Sequence, residues 1–597
     1  MDSPTVKDDM MDEMTAKSAK RSDPLLMSVL KSRFEAIVRE MTLVVMRASR
    51  SAVIKNARDF SCAILTYDHR IVSTENALPI HVASMDLVTK PITELFDDIR
   101  PGDIFINNSP YHGSTHHADF TLCMPVFFDG EPLFWAMALS HHADTGAPVP
   151  TTYLPFAKTI YEEGIHFPCV RMMRDYKEID DVIRIGLTRN RVPELWLGDL
   201  RAQIGACRTA ERRLGELLAK YGRDGIITYV EDWFEYGRTM AIAEIKKLPA
   251  GTYRYQTRHD PVPGVADDGI PVCVEVTVDP VEGMITVDVR DNIDNVPGGL
   301  NLTENTCTGS CRMAVFNNID ASIPHNHGSA SRIKVLMREG SAIGKPRYPV
   351  GTSVATTNVN DRLISAGSCA FSEMGAPFGQ AEGGGHLPVG VGVVSGFDPF
   401  KDGQPYVNQV FVGYAGSGAR HGYDGWLTYC GPANGGMINL DSVEVDEAMY
   451  PFVIESRGVE KDTQGFGEFE GSPGVGGVFY PVDHDMTLVY AADGTTFPPR
   501  GVLGGHAASP TRSEKRLSDG TVATLPAFNA EICEQGQKLM FLASGGGGYG
   551  DPKARAPERV VRSINRGWLS PEKAVEVYGV SVSFDDAKAE YVLSSAQ

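Results

Sequence analysis

Residues 107–146 read NNSPYHGSTHHADFTLCMPVFFDGEPLFWAMALSHHADTG. Two apolar runs, Phe120–Phe128 and Pro132–Leu139, flank Asp129-Gly130. A two-residue type I′ loop needs positive φ at both central positions, which Asp-Gly tolerates, so the spacing predicts an antiparallel β-hairpin. Pairing Phe128 with Glu131 sets Asp119 opposite Ser140, Ala118 opposite His141 and Thr115 opposite Asp144. The open end of the hairpin then gathers two polar clusters, His116-x-x-Asp119 and His141-His142-x-Asp144.

Five of the chain's fifteen histidines fall in this stretch. Imidazole nitrogen and carboxylate oxygen suit zinc, manganese or iron, and three such ligands leave a position open for water or substrate. Strict pleat alternation resists the grouping, because Asp119 would share a face with Ser140 and His142 while His116 and His141 point the other way. A bulge near Asp119 and His141 would remove the conflict, so both histidines of the His141-His142 pair stand as candidates.

Outward from the hairpin, the expected fold class is α+β, a large multi-unit fold of antiparallel sheets with a long N-terminal helix. Residues 1–21 are polar and mixed in charge, which predicts a disordered leader. Ser22-Asp23-Pro24 is a helix start, and Leu26, Leu30, Phe34, Ile37, Met41, Val44 and Ala48 recur at helical spacing. Residues 22–175 thus form a helix plus an antiparallel sheet that includes the hairpin. Residues 176–250 form a helical segment, and residues 251–597 a glycine-rich mixed region ending in helices near Pro557–Ile564 and Pro571–Tyr578.

Composition narrows the function. With 597 residues, 42% hydrophobic and 22% charged, the chain is globular, and a net charge of −20 argues against nucleic acid or an anionic membrane as partner. The N-terminus has no apolar signal core, and no stretch approaches the roughly eighteen apolar residues of a membrane span. Ten cysteines without a C-x-x-C pair predict reduced thiols in a cytoplasmic protein. Gly340-Ser-Ala-Ile-Gly344-Lys345-Pro346 has the wrong spacing for a phosphate loop, and Gly545–Gly548 reads as turn structure before it reads as an anion cradle.

Several motifs together resemble the hydantoinase B family, the B-type subunits of ATP-dependent 5-oxoprolinases, N-methylhydantoinases and caprolactamase, with relatives in acetone and acetophenone carboxylases. They are Arg58-Asp-Phe-Ser-Cys-Ala63, Pro79-Ile-His-Val-Ala-Ser-Met85, Asn108-Ser-Pro-Tyr-His-Gly113, Thr115-His-His-Ala-Asp119, His141-His-Ala-Asp144, Pro324-His-Asn-His-Gly328 and Gly545-Gly-Gly-Gly-Tyr-Gly-Asp-Pro552. Ser114 and Thr145-Gly146-Ala147 depart from the family pattern.

The resemblance implies one divalent metal, zinc or manganese ahead of iron, held by His116, Asp119 and His141 with Asp59 completing the site. It also implies a separate A-type subunit that uses ATP to phosphorylate the substrate's carbonyl oxygen, in an (AB)2 hetero-oligomer. A water of lowered pKa would then open a cyclic amide, with His142 or Asp144 taking the proton. The rival readings are a subunit of an ATP-dependent ketone carboxylase and a scaffold whose metal is structural.

Overall fold

The computed structural model describes residues 23–74, 77–385 and 387–594, and the expected leader lies outside them. Helix α1 spans Pro24–Ala48, its start set by Pro24 and by the Asp23 side chain, which accepts from the Leu25 amide at 3.0 Å. The helical segment resolves into Asp180–Arg189, α2 (Pro193–Tyr221) and Arg223–Ile245. The architecture is mixed helix and antiparallel sheet, as the expected fold class has it.

The site is carried by a seven-stranded antiparallel sheet of β1 (Phe60–Thr66), β2 (Ile71–Thr74), β3 (Ile104–Asn107), β4 (Asp119–Phe128), β5 (Glu131–His141), β6 (Val170–Arg174) and β7 (Lys177–Glu178). The strand order is β2-β1-β5-β4-β3-β6-β7. One face packs Phe120, Leu122, Met124, Ala136 and Ala138 into a core shared with α1 and α2. The other buries Ala63, Leu65, Cys123, Met137 and Leu139 in a smaller core with Met85, Val88 and Ile92. Both faces are covered, which explains why the apolar runs of β4 and β5 are almost continuous instead of alternating.

The hairpin turn is as expected, with φ of 51° at Asp129 and 83° at Gly130. The register is not. Phe128 pairs with Glu131 and Phe127 with Pro132, but Val126 then pairs with Phe134, leaving Leu133 as the extra residue of a bulge. Pro132 has no N–H to give to the ladder, and the Leu133 carbonyl turns outward to accept from the Tyr67 amide. The slip of one residue places Asp119 opposite His141, not Ser140, so the two side chains share a face. The bulge that resolves the pleat conflict sits beside the turn, far from the residues it re-aims.

C-terminal to the helices, strands Gly251–His259, Ile270–Asp279, Met284–Asp288 and Ile333–Leu336 form a second sheet. Two further sheets are built on Val393–Asp398 and Val475–Pro481. Between these layers runs α3 (Val359–Ser372), buried at every position. The glycine run 545–548 threads between loops where a Cβ would not fit: on Gly546 it would stand 1.9 Å from the Ser417 carbonyl oxygen. The amides of Gly546, Gly547 and Gly548 donate to the carbonyls of Ser472, Glu382 and His506, so they are committed to the backbone and cradle no anion.

The helix Val443–Met449 buries Asp446 against Asp441, with no cation offsetting either carboxylate fully. Burial, then the neighbouring carboxylate, pushes Asp446 up to about 8, and burial pushes Asp441 up to about 6. Folded values above the ordinary carboxylate range mean a stability contribution that is complete below pH 3.8 and is lost as pH rises through 6 to 8. Asp446→Asn is therefore expected to stabilise the protein by about 2 kcal/mol in urea unfolding at pH 9 and to change little at pH 4.

Candidate metal centre

Three adjacent strands deliver the site. Asp59 precedes β1, His141 ends β5 and Asp119 begins β4, all at the same end of these three central strands; the His141 amide donates to the Asp59 carbonyl at 3.0 Å. Asp59 and Ser61 precede Ala63 and Leu65 at alternating positions, which puts them on the face that carries Asp119 and His141. His116 comes from the turn before β4, and the short helix Pro79–Val82 brings His81 across the top.

The donor atoms converge. His116 Nε2 lies 3.1 Å from Asp119 Oδ1, His141 Nδ1 lies 3.2 Å from the same oxygen, and the two nitrogens are 3.3 Å apart. Ligands bonded at about 2.0–2.1 Å in a tetrahedral shell stand roughly 3.3–3.4 Å from one another, so the triangle fits one face of such a shell. The outer partners agree. His116 Nδ1 donates to the Ser353 carbonyl at 2.9 Å, which leaves the Nε2 lone pair facing inward. Thr152 Oγ1 meets His141 Nε2 at 3.0 Å, and the Thr115 hydroxyl donates to Asp119 Oδ2 at 2.5 Å, leaving Oδ1 for the cluster. The residues present fit a divalent cation with mixed nitrogen and oxygen ligands.

His116 and Asp119 are wholly buried and His141 is 2% exposed. Burial would raise the Asp119 carboxyl, yet the neighbouring imidazoles, His116 first, then His81 and His141, outweigh it and hold the group well below its ordinary value. The Tyr153 ring stacks on His141 at 5.5 Å and walls the cluster.

The structure brings together His116, Asp119 and His141, with Asp59 beside them through His81, whose Nε2 is 3.6 Å from Asp59 Oδ1 and 3.5 Å from Asp119 Oδ2. His142 and Asp144 are not brought in, which corrects the expectation that either takes a proton there. As the next residue along β5, His142 faces the opposite side of the sheet, against Phe120 and Trp196, with Nε2 at 3.1 Å from Gln203 Oε1 in α2. Asp144 accepts from the Arg191 amide and guanidinium at 2.7 and 2.8 Å and holds a loop.

His81 was missed. Burial pushes its pKa down against the pull of Asp119 and Asp59. Ser61 Oγ accepts from the Leu78 amide at 2.9 Å and meets His81 Nδ1 at 3.1 Å, an arrangement in which the serine hydrogen goes to Nδ1 and Nε2–H points at the carboxylates. Its sequence signal was its place in Pro79–Met85; spacing alone could not join it to residues on another segment. His325 and His327 lie apart, packed on Phe316 and Phe234.

The model of the family described as hydantoinase B/oxoprolinase matches residues 23–552. Caprolactamase subunit beta of Pseudomonas jessenii is 29% identical, covering 94% of this chain and 96% of that protein. The crystal structure of ATP-dependent caprolactamase from Pseudomonas jessenii superposes with a TM-score of 0.84 at 27% identity, covering 94% of this chain and 97% of that one. Nucleotide-free acetone carboxylase superposes with a TM-score of 0.86 at 20% identity, covering 96% and 81%, a likeness of fold. A match that runs from the start of α1 past the glycine run, and includes every residue of the centre, means that the chain belongs to the hydantoinase B/oxoprolinase family.

Proposed function

We propose that the chain is the metal-binding B-type subunit of an ATP-dependent cyclic amide hydrolase, acting on a substrate that an A-type partner subunit has phosphorylated, the two assembled as an (AB)2 hetero-oligomer. The observation that carries this reading is the buried triangle of His116 Nε2, His141 Nδ1 and Asp119 Oδ1. His116, Asp119, His141 and Asp59 would hold the cation, and a set of imidazole nitrogens and carboxylate oxygens suits zinc, manganese or iron. A divalent cation there supplies Lewis acidity to a reacting oxygen.

The chain's own residues set the conditions. Tyr153 and the two cores exclude bulk water, so charges formed in the site act in a low dielectric. His81 keeps a proton on Nε2 between Asp59 and Asp119 and orients both carboxylates. A resonance-stabilised amide resists opening at neutral pH, and phosphorylation of its oxygen by the partner makes the carbon electrophilic. Commitment of the glycine-run amides to backbone carbonyls supports ATP being handled by that partner.

Higher identity to a caprolactamase than to a carboxylase favours amide opening over ketone carboxylation. The test is co-expression with the A-type partner, metal analysis, and ATP-dependent turnover of lactams, hydantoins and ketones with and without bicarbonate. Opening of a cyclic amide without bicarbonate supports the reading. Turnover confined to a ketone with bicarbonate overturns it in favour of the carboxylase, and full activity after chelation assigns the metal a structural role.

A further inference from the structure

The histidines of the centre owe their orientation to a second layer, and that layer has a single keystone. Residues 147–163 supply Thr152 to His141 Nε2 and Tyr153 to its ring face. The segment around Ser353 supplies the carbonyl that fixes His116 Nδ1. The two segments lie along each other: Thr159 bridges to Val350, the Gly351 amide donates to the Lys158 carbonyl at 3.0 Å, and Ser353 Oγ bonds the Leu154 amide at 2.9 Å and the Thr152 carbonyl at 3.2 Å.

Glu163 closes this strap. It has no exposed surface, and its Oε1 accepts from the amide of Thr352, the residue before the one whose carbonyl holds His116, at 2.5 Å. Its own backbone carbonyl accepts from Thr145 Oγ1 at 3.2 Å, tying the strap to the loop after β5. Among the described residues Oε2 meets only His117 Nδ1 at 3.7 Å and His166 Nε2 at 4.0 Å, both beyond hydrogen-bond length. Among the described residues no other side chain bonds the amide of residue 352. A buried carboxyl with one oxygen this short of partners is costly to keep unless the backbone that the other oxygen holds matters.

We infer that Glu163 is a positioning residue for the metal centre, acting through the Thr352 amide and the Ser353 carbonyl to hold the His116 ring with Nε2 toward the ligand triangle. The inference rests on the proposed centre but not on the reaction assigned to it. Outer partners of ligating histidines typically govern metal affinity by about 10–100-fold, and Glu163 stands one peptide further out. Burial pushes its carboxyl up to about 8, so near neutral pH it works mainly as a neutral acid whose carbonyl oxygen accepts the bond. An amide keeps that oxygen.

The experiment is competition for Zn(II) against a chromogenic chelator, with the visible spectrum of the Co(II)-loaded protein as a readout of ligand geometry. Glu163→Ala is expected to weaken Zn(II) binding about tenfold or more and to alter the Co(II) bands, while Glu163→Gln stays within a few-fold of wild type. Should Glu163→Ala fail to fold, Gly351→Ala displaces the same strap, since a Cβ there would stand 2.1 Å from the Ala157 carbonyl oxygen, and it should weaken binding likewise. Tight wild-type binding with both variants unchanged overturns the inference. Absence of wild-type binding overturns the metal centre itself, a separate outcome.

Discussion

Asp119→Ala is expected to abolish ATP-coupled ring opening, by about a thousandfold or more, while leaving the partner subunit's basal ATP hydrolysis intact. Asp119 Oδ1 is the atom common to both short contacts of the triangle, 3.1 Å from His116 and 3.2 Å from His141. Removing it leaves two neutral imidazoles and, one His81 ring away, the Asp59 carboxylate, too few donors and too little charge to hold a divalent cation tightly, so bound metal should fall to a small fraction of an equivalent per chain. The fold should survive, because the variant deletes a buried charge instead of stranding one: His116 keeps Ser353 and His141 keeps Thr152. Full-length assembly, metal analysis and turnover on the same preparation decide it. Wild-type metal content, or unchanged ring opening with the metal lost, would remove the cluster from the mechanism.

His116→Ala is expected to behave alike, whereas the His142 ring can be replaced with a smaller penalty. His142 packs between Phe120, Trp196 and Gln203 on the other side of the sheet, so His142→Gln should cost stability through repacking and leave bound metal near wild type. The contrast between adjacent histidines follows from a bulge beside Leu133, eight residues away along β5. Had the ladder kept its initial register, the pair would have exchanged faces.

What was legible in the sequence follows from how local its causes are. Asp129-Gly130 dictates a tight turn through two backbone conformations, and α1 announces itself through a cap, a proline and a periodic apolar face. The bulge depends on Pro132 and on the Tyr67 amide that takes up the Leu133 carbonyl, and that amide belongs to the turn after β1, a segment read separately. Helix α3 left no signal for a different reason. It is buried all round, so its sequence, VNDRLISAGSCAFS, lacks the polar face that makes a period visible. The candidate metal ligands on the hairpin were legible because one turn joins them. His81, Thr152, Glu163 and Ser353 enter from three other segments, and only tertiary packing brings them to the cluster.

Helix α3 also carries the other change expected to have a large effect. Arg362 is almost wholly buried and donates to Asp493 at 2.6 and 3.2 Å, to Glu382 at 3.0 Å and to the Phe497 carbonyl. Asp493 in turn accepts the Asp260 amide, and Glu382 accepts from Arg500, so one guanidinium joins α3 to the second sheet and to both loops beyond it. Arg362→Met leaves carboxylates buried without their cation and should destabilise the protein by about 3–5 kcal/mol at pH 7, more than deletion of most core methyl groups. Burial would raise the Asp493 carboxyl, but the Arg362 charge holds it below its ordinary value. That stabilisation is present above the unfolded pKa of 3.8 and is lost as pH falls through the depressed folded value. Without Arg362 the same carboxyl rises, so the variant gains stability as it protonates, and the deficit should shrink between pH 7 and pH 4. Adding Asp493→Leu to Arg362→Met should recover part of the loss, because the pair costs desolvation that an apolar pair does not. Urea unfolding across that pH range measures all three, and a deficit independent of pH would show that lost packing, not stranded charge, is what Arg362 prevents.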